Sequence, residues 1–244
     1  FSKWSDGFLL STAVAFVPAT RLFRQYNDDL KDVKGFNNNP FSLDKTFITN
    51  ADKSVWDSQA KFIQTHLTDE VIDQAFSNAP KEVNQETINQ LKAKLKARRG
   101  NLDLIADRYF KLIHKSAIVI ASDKADKILI EAKVNGDVLV TVSPVGKNKD
   151  VANLIESKKF YANQTKEIWI YGLDNEDRFE VIGKSKKIKI RLIGGQNNDS
   201  YSVEKGKNII IYDYKSKSND VSEAKKANIK LQDRYNINVF DYKK

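Results

Sequence analysis

A 22-residue repeat constrains this 244-residue chain more than any other feature. The stretch Ile168-Trp169-Ile170-Tyr171-Gly172-Leu173-Asp174-Asn175-Glu176-Asp177-Arg178-Phe179-Glu180-Val181 returns 22 positions later as Ile190-Arg191-Leu192-Ile193-Gly194-Gly195-Gln196-Asn197-Asn198-Asp199-Ser200-Tyr201-Ser202-Val203. Both copies read as a strand, a glycine-led turn, an Asp, and a second strand carrying an aromatic and a Val. A degraded third copy starts at Tyr212-Asp213-Tyr214. A unit this short cannot enclose a core alone, so the copies are expected to stack as rungs of a solenoid-like β layer. An antiparallel meander with similar turns is the alternative. Stacking at 22 residues places Ile168 over Ile190 and Ile170 over Leu192, facing inward. It places Glu167 beside Lys189, and Arg191 between Trp169 and Asp213, facing outward.

The rest of the chain sets this repeat in an α+β order. From Ser54 to about Lys115 the apolar residues follow helical spacing. Ser54 is an expected N-cap, and Thr68-Asp69-Glu70 opens a further helix with acids in its first turn. A long closing helix carries Ile88, Leu91, Leu95, Leu102, Ile105, Tyr109 and Leu112 on one stripe, interrupted at Arg98, with a kink or break expected at Gly100-Asn101. After Ser116 the period becomes two. Ala117-Ile120 and Ile128-Val134 read as strands, Asn135-Gly136 as a type I′ hairpin turn into Asp137-Val142, and strands resume near Glu167. The expected organisation is a helical hairpin or bundle over 1–115, a β-rich repeat segment over 116–214, and a tail or linker over 215–244.

Composition excludes several chemistries. There is no Cys, so neither disulfides nor thiolate sites exist, and the only two His, His66 and His114, lie far apart in sequence. No GxSxG, P-loop or metallohydrolase signature occurs. The net charge of +9 comes mostly from Lys and reads as solvated surface, with no nucleic acid expected. The most apolar run, Phe8 to Val17, is about half of a bilayer span and reads as a short buried helix with no signal-peptide character. A chain that opens on Phe1 and holds no Met is expected to be a piece of something longer.

Two groups of residues remain as site candidates. Gly194-Gly195-Gln196-Asn197-Asn198-Asp199-Ser200-Tyr201 resembles the calcium-binding turn of β-roll repeats, with Asn197 standing where the third Gly belongs. Stacked turns could bring Asp174, Asp177 and Asp199, with Glu176, toward one calcium ion, but a 22-residue period denies adjacent turns the ligands that a nine-residue β-roll shares, so folding without a cofactor is expected. The bland reading is that Gly and Asn make the corner and Asp hydrogen-bonds its backbone. Arg98, Arg99, Lys187, Lys189 and Arg191 are the candidate anion or partner contacts, with Arg98 expected to clamp a carboxylate across the helical region.

Several stretches also carry a resemblance. Phe1-Ser2-Lys3-Trp4-Ser5-Asp6-Gly7, Leu43-Asp44-Lys45-Thr46-Phe47-Ile48, Leu67-Thr68-Asp69-Glu70-Val71-Ile72, Leu95-Lys96-Ala97-Arg98-Arg99-Gly100-Asn101-Leu102, Thr165 to Asp174 and Ile190 to Gly195 resemble the middle region of large Bacteroidetes surface proteins of the calcineurin-like metallophosphoesterase type. The resemblance implies a phosphoesterase domain before this region and an outer-membrane surface-antigen barrel after it. It also implies an Asp-rich motif like that of spore-coat-type kinases, ending at a Phe that aligns with Phe1. The phosphoesterase motifs Asp-x-His and Gly-Asn-His-Asp are absent here, so no catalytic residue carries over. The resulting expectation is a non-catalytic connecting module, periplasmic or cell-surface and associated with the outer membrane. Its partners would be the rest of its own polypeptide or other envelope proteins. The alternative is a lobe of a kinase-like or phosphoesterase enzyme whose catalytic residues lie upstream.

Overall fold

The computed structural model describes residues 26–48, 51–146, 156–224 and 226–240; the Phe8–Val17 segment lies outside them. The chain forms two units, 1–113 and 114–244, in α+β order.

In the first unit, the short helices α1 (Val33–Phe36) and α2 (Phe41–Phe47) precede α3 (Lys53–His66), α4 (Asp69–Ser77), α5 (Gln85–Gly100) and α6 (Leu102–His114). The N-cap of α3 is Asp52, whose carboxylate accepts from the amides of Ser54 and Val55. Ser54, the expected cap, sits in the first turn instead because the acid two residues earlier is the stronger acceptor for two free amides. Thr68 caps α4 as its sequence suggests. The stripe breaks into two helices at Asn101, beside Gly100. Val33, Tyr109 and Ile113 form a small core, with Trp56 edge-on to Tyr109 and Phe110.

In the second unit the chain alternates between two sheets. The first is β1 (Ser116–Ile120), β5 (Glu167–Leu173), β7 (Lys189–Gly195), β9 (Ile209–Asp213) and β11 (Asn228–Leu231), adjacent in that order. All of its pairings are parallel. The second sheet runs β10 (Asp220–Glu223), β8 (Ser200–Lys205), β6 (Arg178–Lys184), β2 (Asp126–Ala132), β3 (Val138–Pro144) and β4 (Glu156–Phe160). It is parallel from β10 to β2, then antiparallel through β3 and β4. Inward residues of both sheets, among them Ile168, Ile170, Ile190, Leu192, Phe179 and Val181, make one core. Period-two alternation supplies it, one face of each strand being apolar.

The register matches the 22-residue expectation between β5 and β7, where Ile168 pairs with Ile190, Ile170 with Leu192, Glu167 with Lys189 and Trp169 with Arg191. The same offset relates β6 to β8 from Arg178 to Val181, after which the register shifts and Lys184 pairs with Lys205. The next coil differs. Ile190 pairs with Ile209 and Arg191 with Ile210, so Tyr212 faces Ile193 and not Ile190. The link from β8 to β9, Gly206-Lys207-Asn208, is shorter than the Ser185-Lys186-Lys187-Ile188 link from β6 to β7. Asn208 completes the tight corner at φ 68°, donating from its amide to the Ser185 carbonyl.

Two further expectations are corrected. At Asn135-Gly136 only Gly136 has positive φ (99°), and Lys133 N–H bonds to the Asp137 carbonyl. This is a type I turn with a glycine bulge, the three-residue hairpin and not type I′. Residues 215–240, expected as tail or linker, instead add β10 and β11 to the two sheets, followed by α7 (Tyr235–Asn238).

Candidate functional site

The repeat's Asp positions stack into one column at the entry to the second sheet. Asp126 begins β2, Asp177 precedes β6, Asp199 precedes β8, and Asn219 precedes β10. The Asp126 amide donates to Asp177 Oδ1, the Asp177 amide to Asp199 Oδ1, and the Asp199 amide to Asn219 Oδ1, each at 2.8 Å. Each side chain thus satisfies the corner amide of the preceding coil, an amide that the ladder leaves free. Asp126 Oδ2 accepts from Ser122 N–H and Oγ–H, closing the first coil.

The turns that feed this column are built for close approach. Asn175 and Asn197 hold φ of 69° and 74°, as does Leu173 at 84° opposite Gly195 at 105°. Asn tolerates that left-handed backbone because its short side chain bonds locally. Gly172 and Gly194 are required for space. A Cβ on Gly194 would sit on Asp199 Oδ2 and Tyr201 Oη, with Asp213 Oδ2 2.5 Å away. One on Gly172 would overlap Asp177 Oδ2 and lie 2.6 Å from the Gly194 carbonyl oxygen.

The column is almost wholly shielded from solvent: Asp126, Asp177, Asp199 and Asp213 are each 1% exposed or less. Asp126 Oδ1, Asp177 Oδ2 and Asp199 Oδ2 face no hydrogen-bond donor. Burial pushes the Asp177 carboxyl up to about 8, against the Asp126 amide bond that favours its charge, with neighbouring acids adding to the rise. Burial also raises Asp199, and the Asp213 charge raises it further. Asp213 is raised by burial as well, opposed by the hydroxyl of Tyr201 at 2.7 Å and the Tyr214 amide at 2.6 Å. Tyr201, fully enclosed and surrounded by these acids, is held far above the usual phenol range.

This arrangement separates the residues singled out from sequence. Asp177 and Asp199 lie in the column, whereas Asp174 is half-buried outside it. Among the described residues no three carboxylate or imidazole side chains are placed to share one metal ion, so the candidate calcium set of Asp174, Asp177 and Asp199 is not brought together. Asp199 Oδ2 meets the Asp213 carboxyl instead. Arg98 stacks on Tyr26 at 3.6 Å and donates to the Asn27 carbonyl, so its partners are a ring and a backbone oxygen, not the expected carboxylate. Arg99 donates to the Leu67 carbonyl at the end of α3 and to Asp69 at the start of α4. Lys187 and Lys189 are exposed on the wet side. Arg191 lies over Trp169 at 4.6 Å and is bonded to Glu167 and Tyr212. Asp213, its expected neighbour, is buried instead, because the shorter coil pairs Arg191 with Ile210.

Sequence reasoning missed Asp126, Tyr201 and Asp213 as members of the site. Asp126 follows the same grammar as Asp177 and Asp199: a polar turn, an Asp, then a strand. That signal was present in Ser122-Asp123-Lys124-Ala125-Asp126. No helix among the described residues is long and apolar enough to cross a membrane. No family model, curated protein or solved structure matches the chain.

Proposed function

We propose that this chain is a non-catalytic structural and interaction module. The observation that carries the reading is the destination of the four acids of the column and its corner: Asp177 and Asp199 hold backbone amides of the neighbouring coil, Asp126 and Asp213 hold amides of their own turns, and all four are closed to solvent. A carboxylate that performs acid–base or metal chemistry on a substrate must reach it, and these are committed to the stacking of a short parallel β-solenoid. Three of the five candidate basic residues support the same role. Arg98, Arg99 and Arg191 hold rings, carbonyls and carboxylates of their own unit.

The setting we propose follows the sequence resemblance. The module belongs to a bacterial envelope protein, periplasmic or at the cell surface, where it connects an enzymatic part to an outer-membrane barrel. Its partners there are the remainder of its own polypeptide or other envelope proteins. A stacked β unit suits this task because its length is set by coil number and its edges can continue into neighbouring chain.

The test is a phosphoester hydrolysis and phosphate-transfer assay on the purified chain with magnesium, manganese or zinc. No turnover above background is expected. Metal-dependent turnover lost on replacing Asp177 or Asp199 would overturn the reading. Fractionation of cells making the parent protein checks the location, with recovery in the outer-membrane fraction expected and a purely cytoplasmic pool counting against it.

A further inference from the structure

We infer that the corner formed by Asp199, Asp213 and Tyr201 holds a buried proton shared between the two carboxyl groups, which makes the stacked unit a pH-responsive element that tightens as pH falls. Three oxygens converge over Gly194: Asp199 Oδ2, Asp213 Oδ2 and Tyr201 Oη. Tyr201 has one hydroxyl proton, and it is directed to Asp213. Asp199 Oδ2 has no donor other than a proton on one of the two acids themselves. Two ionised carboxylates in contact, each at most 1% exposed, repel one another without screening, so one proton between them removes both the repulsion and the orphaned acceptor.

Among the described residues, no cation is among the groups acting most strongly on this corner. The groups acting most strongly on Asp177, Asp199 and Asp213 are one another, Asp126 from β2, Asp174 and Glu176 from the turn before β6, Tyr201 from β8, and the amide of Tyr214 with the neutral Asn219. None of these is a cation. The chain also shows what an uncharged rung looks like. Asn219 accepts the Asp199 amide through Oδ1, as the acids do, while its Nδ2 donates to the Tyr214 carbonyl at 3.0 Å. An amide therefore fits the column with both polar atoms satisfied.

The direction follows from proton linkage. In the folded chain the acid keeps its proton to higher pH than in the unfolded chain, so the folded state binds more protons and stability falls as pH rises. The decline begins near the ordinary aspartate range and ends where the folded acid ionises. Each retained proton changes the unfolding constant about tenfold per pH unit in between.

The experiment is urea unfolding of the full chain with Trp4 and Trp56 replaced by Phe, followed through Trp169 in the second unit, at pH 5, 6, 7, 8 and 9 with calcium or with chelator. A midpoint that falls from pH 5 to 8 and does not respond to calcium is expected. Asp199→Asn, which copies the Asn219 rung, should raise the midpoint at pH 8 and flatten its pH dependence. Carbon-13 spectra of labelled Asp carboxyls decide the matter on the wild-type chain even where the variant fails to fold. At least one carboxyl should titrate above pH 6. A flat midpoint with every carboxyl titrating below pH 5 would overturn the inference. So would a calcium-dependent rise at pH 8 that Asp199→Asn abolishes, because the corner would then hold a cation in place of the proton.

Discussion

Replacing Gly194 by Ala tests the packing of the corner directly. The new methyl would stand 2.5 Å from Asp213 Oδ2, nearly 1 Å inside the 3.4 Å where ordinary contact begins, and it would overlap Asp199 Oδ2 and Tyr201 Oη as well. None of the three can retreat freely. Asp199 is tied to the Asp177 amide, Asp213 to the Tyr214 amide, and Tyr201 stacks on Phe179 with centroids 5.0 Å apart. Overpacking a close-packed site costs about 1–3 kcal/mol, and loss of the Tyr201–Asp213 bond adds about 1.5–3 kcal/mol. Restriction of the unfolded chain by Ala returns about 0.4–1 kcal/mol. The expected net loss is roughly 3 kcal/mol, on the order of 10 °C in the melting temperature of a unit this size. In a background with both Trp4 and Trp56 replaced by Phe, Trp169 fluorescence reports the second unit, and urea midpoints give the difference. Gly100→Ala is the control: nothing lies within 4 Å of its Cβ position, and it ends a helix, so that change should leave the second unit untouched. Adding Asp199→Ala to Gly194→Ala should cost less than Asp199→Ala alone, since the collision partner is gone. A Gly194→Ala protein within 0.5 kcal/mol of the wild type, roughly the scatter of neutral surface changes, would refute the described corner, and strict additivity would refute the named collision.

The register makes a second, paired expectation. Ile190 is fully buried between Ile168 and Ile209, so Ile190→Ala should cost on the order of 2–5 kcal/mol. Arg191→Ala, on the opposite face against Trp169 and Glu167, should cost about 1–2 kcal/mol and less at high salt; denaturant midpoints in the reverse order would mean that the faces are misassigned. In the first unit, Asp69 and Asp73 are held below the usual carboxylate range, Asp69 by Arg99 and then Lys96, Asp73 by Lys92 and then Lys96. Their folded forms bind protons less readily than the unfolded chain, so their contribution is complete at neutral pH and fades as pH falls through the ordinary aspartate range and below it. Helical circular dichroism should therefore show an acid-side loss that Lys96→Ala reduces; an unchanged acid limb would exclude these pairs as its source.

The repeat was legible because Ile168 to Val181 and Ile190 to Val203 carry the same number of residues around both corners, and side-chain alternation then fixes which face is inside. The third coil was not. Ile209-Ile210-Ile211 is apolar without interruption, so alternation gives no phase, and carrying the 22-residue offset forward selected Tyr212 where Ile209 belongs. Corner length is a property of the loop, set here by Asn208 in a left-handed conformation, and the core does not constrain it. The helical region was read well at Thr68 and at the Gly100-Asn101 break, where caps and glycine act locally. It was read poorly at Arg98, whose ring and carbonyl partners come from residues 26 and 27, far away in sequence.

The carboxylate corner was half visible for a related reason. In sequence, an Asp after Asn or Gly is an ordinary turn residue and belongs at the surface. Asp177 and Asp199 are buried only because another coil lies across them, and Asp213 joins them only because the third coil is short. Burial of the site is thus a consequence of register, not of residue type. The column also contains its own comparison. At Asn219 both atoms of an amide are bonded, while Asp177 and Asp199 in the equivalent places leave one oxygen without a donor. An amide would satisfy the inner rungs better at neutral pH, so stability alone does not favour acids there. What an acid provides at such a rung, and an amide does not, is a group whose bonding changes with proton concentration.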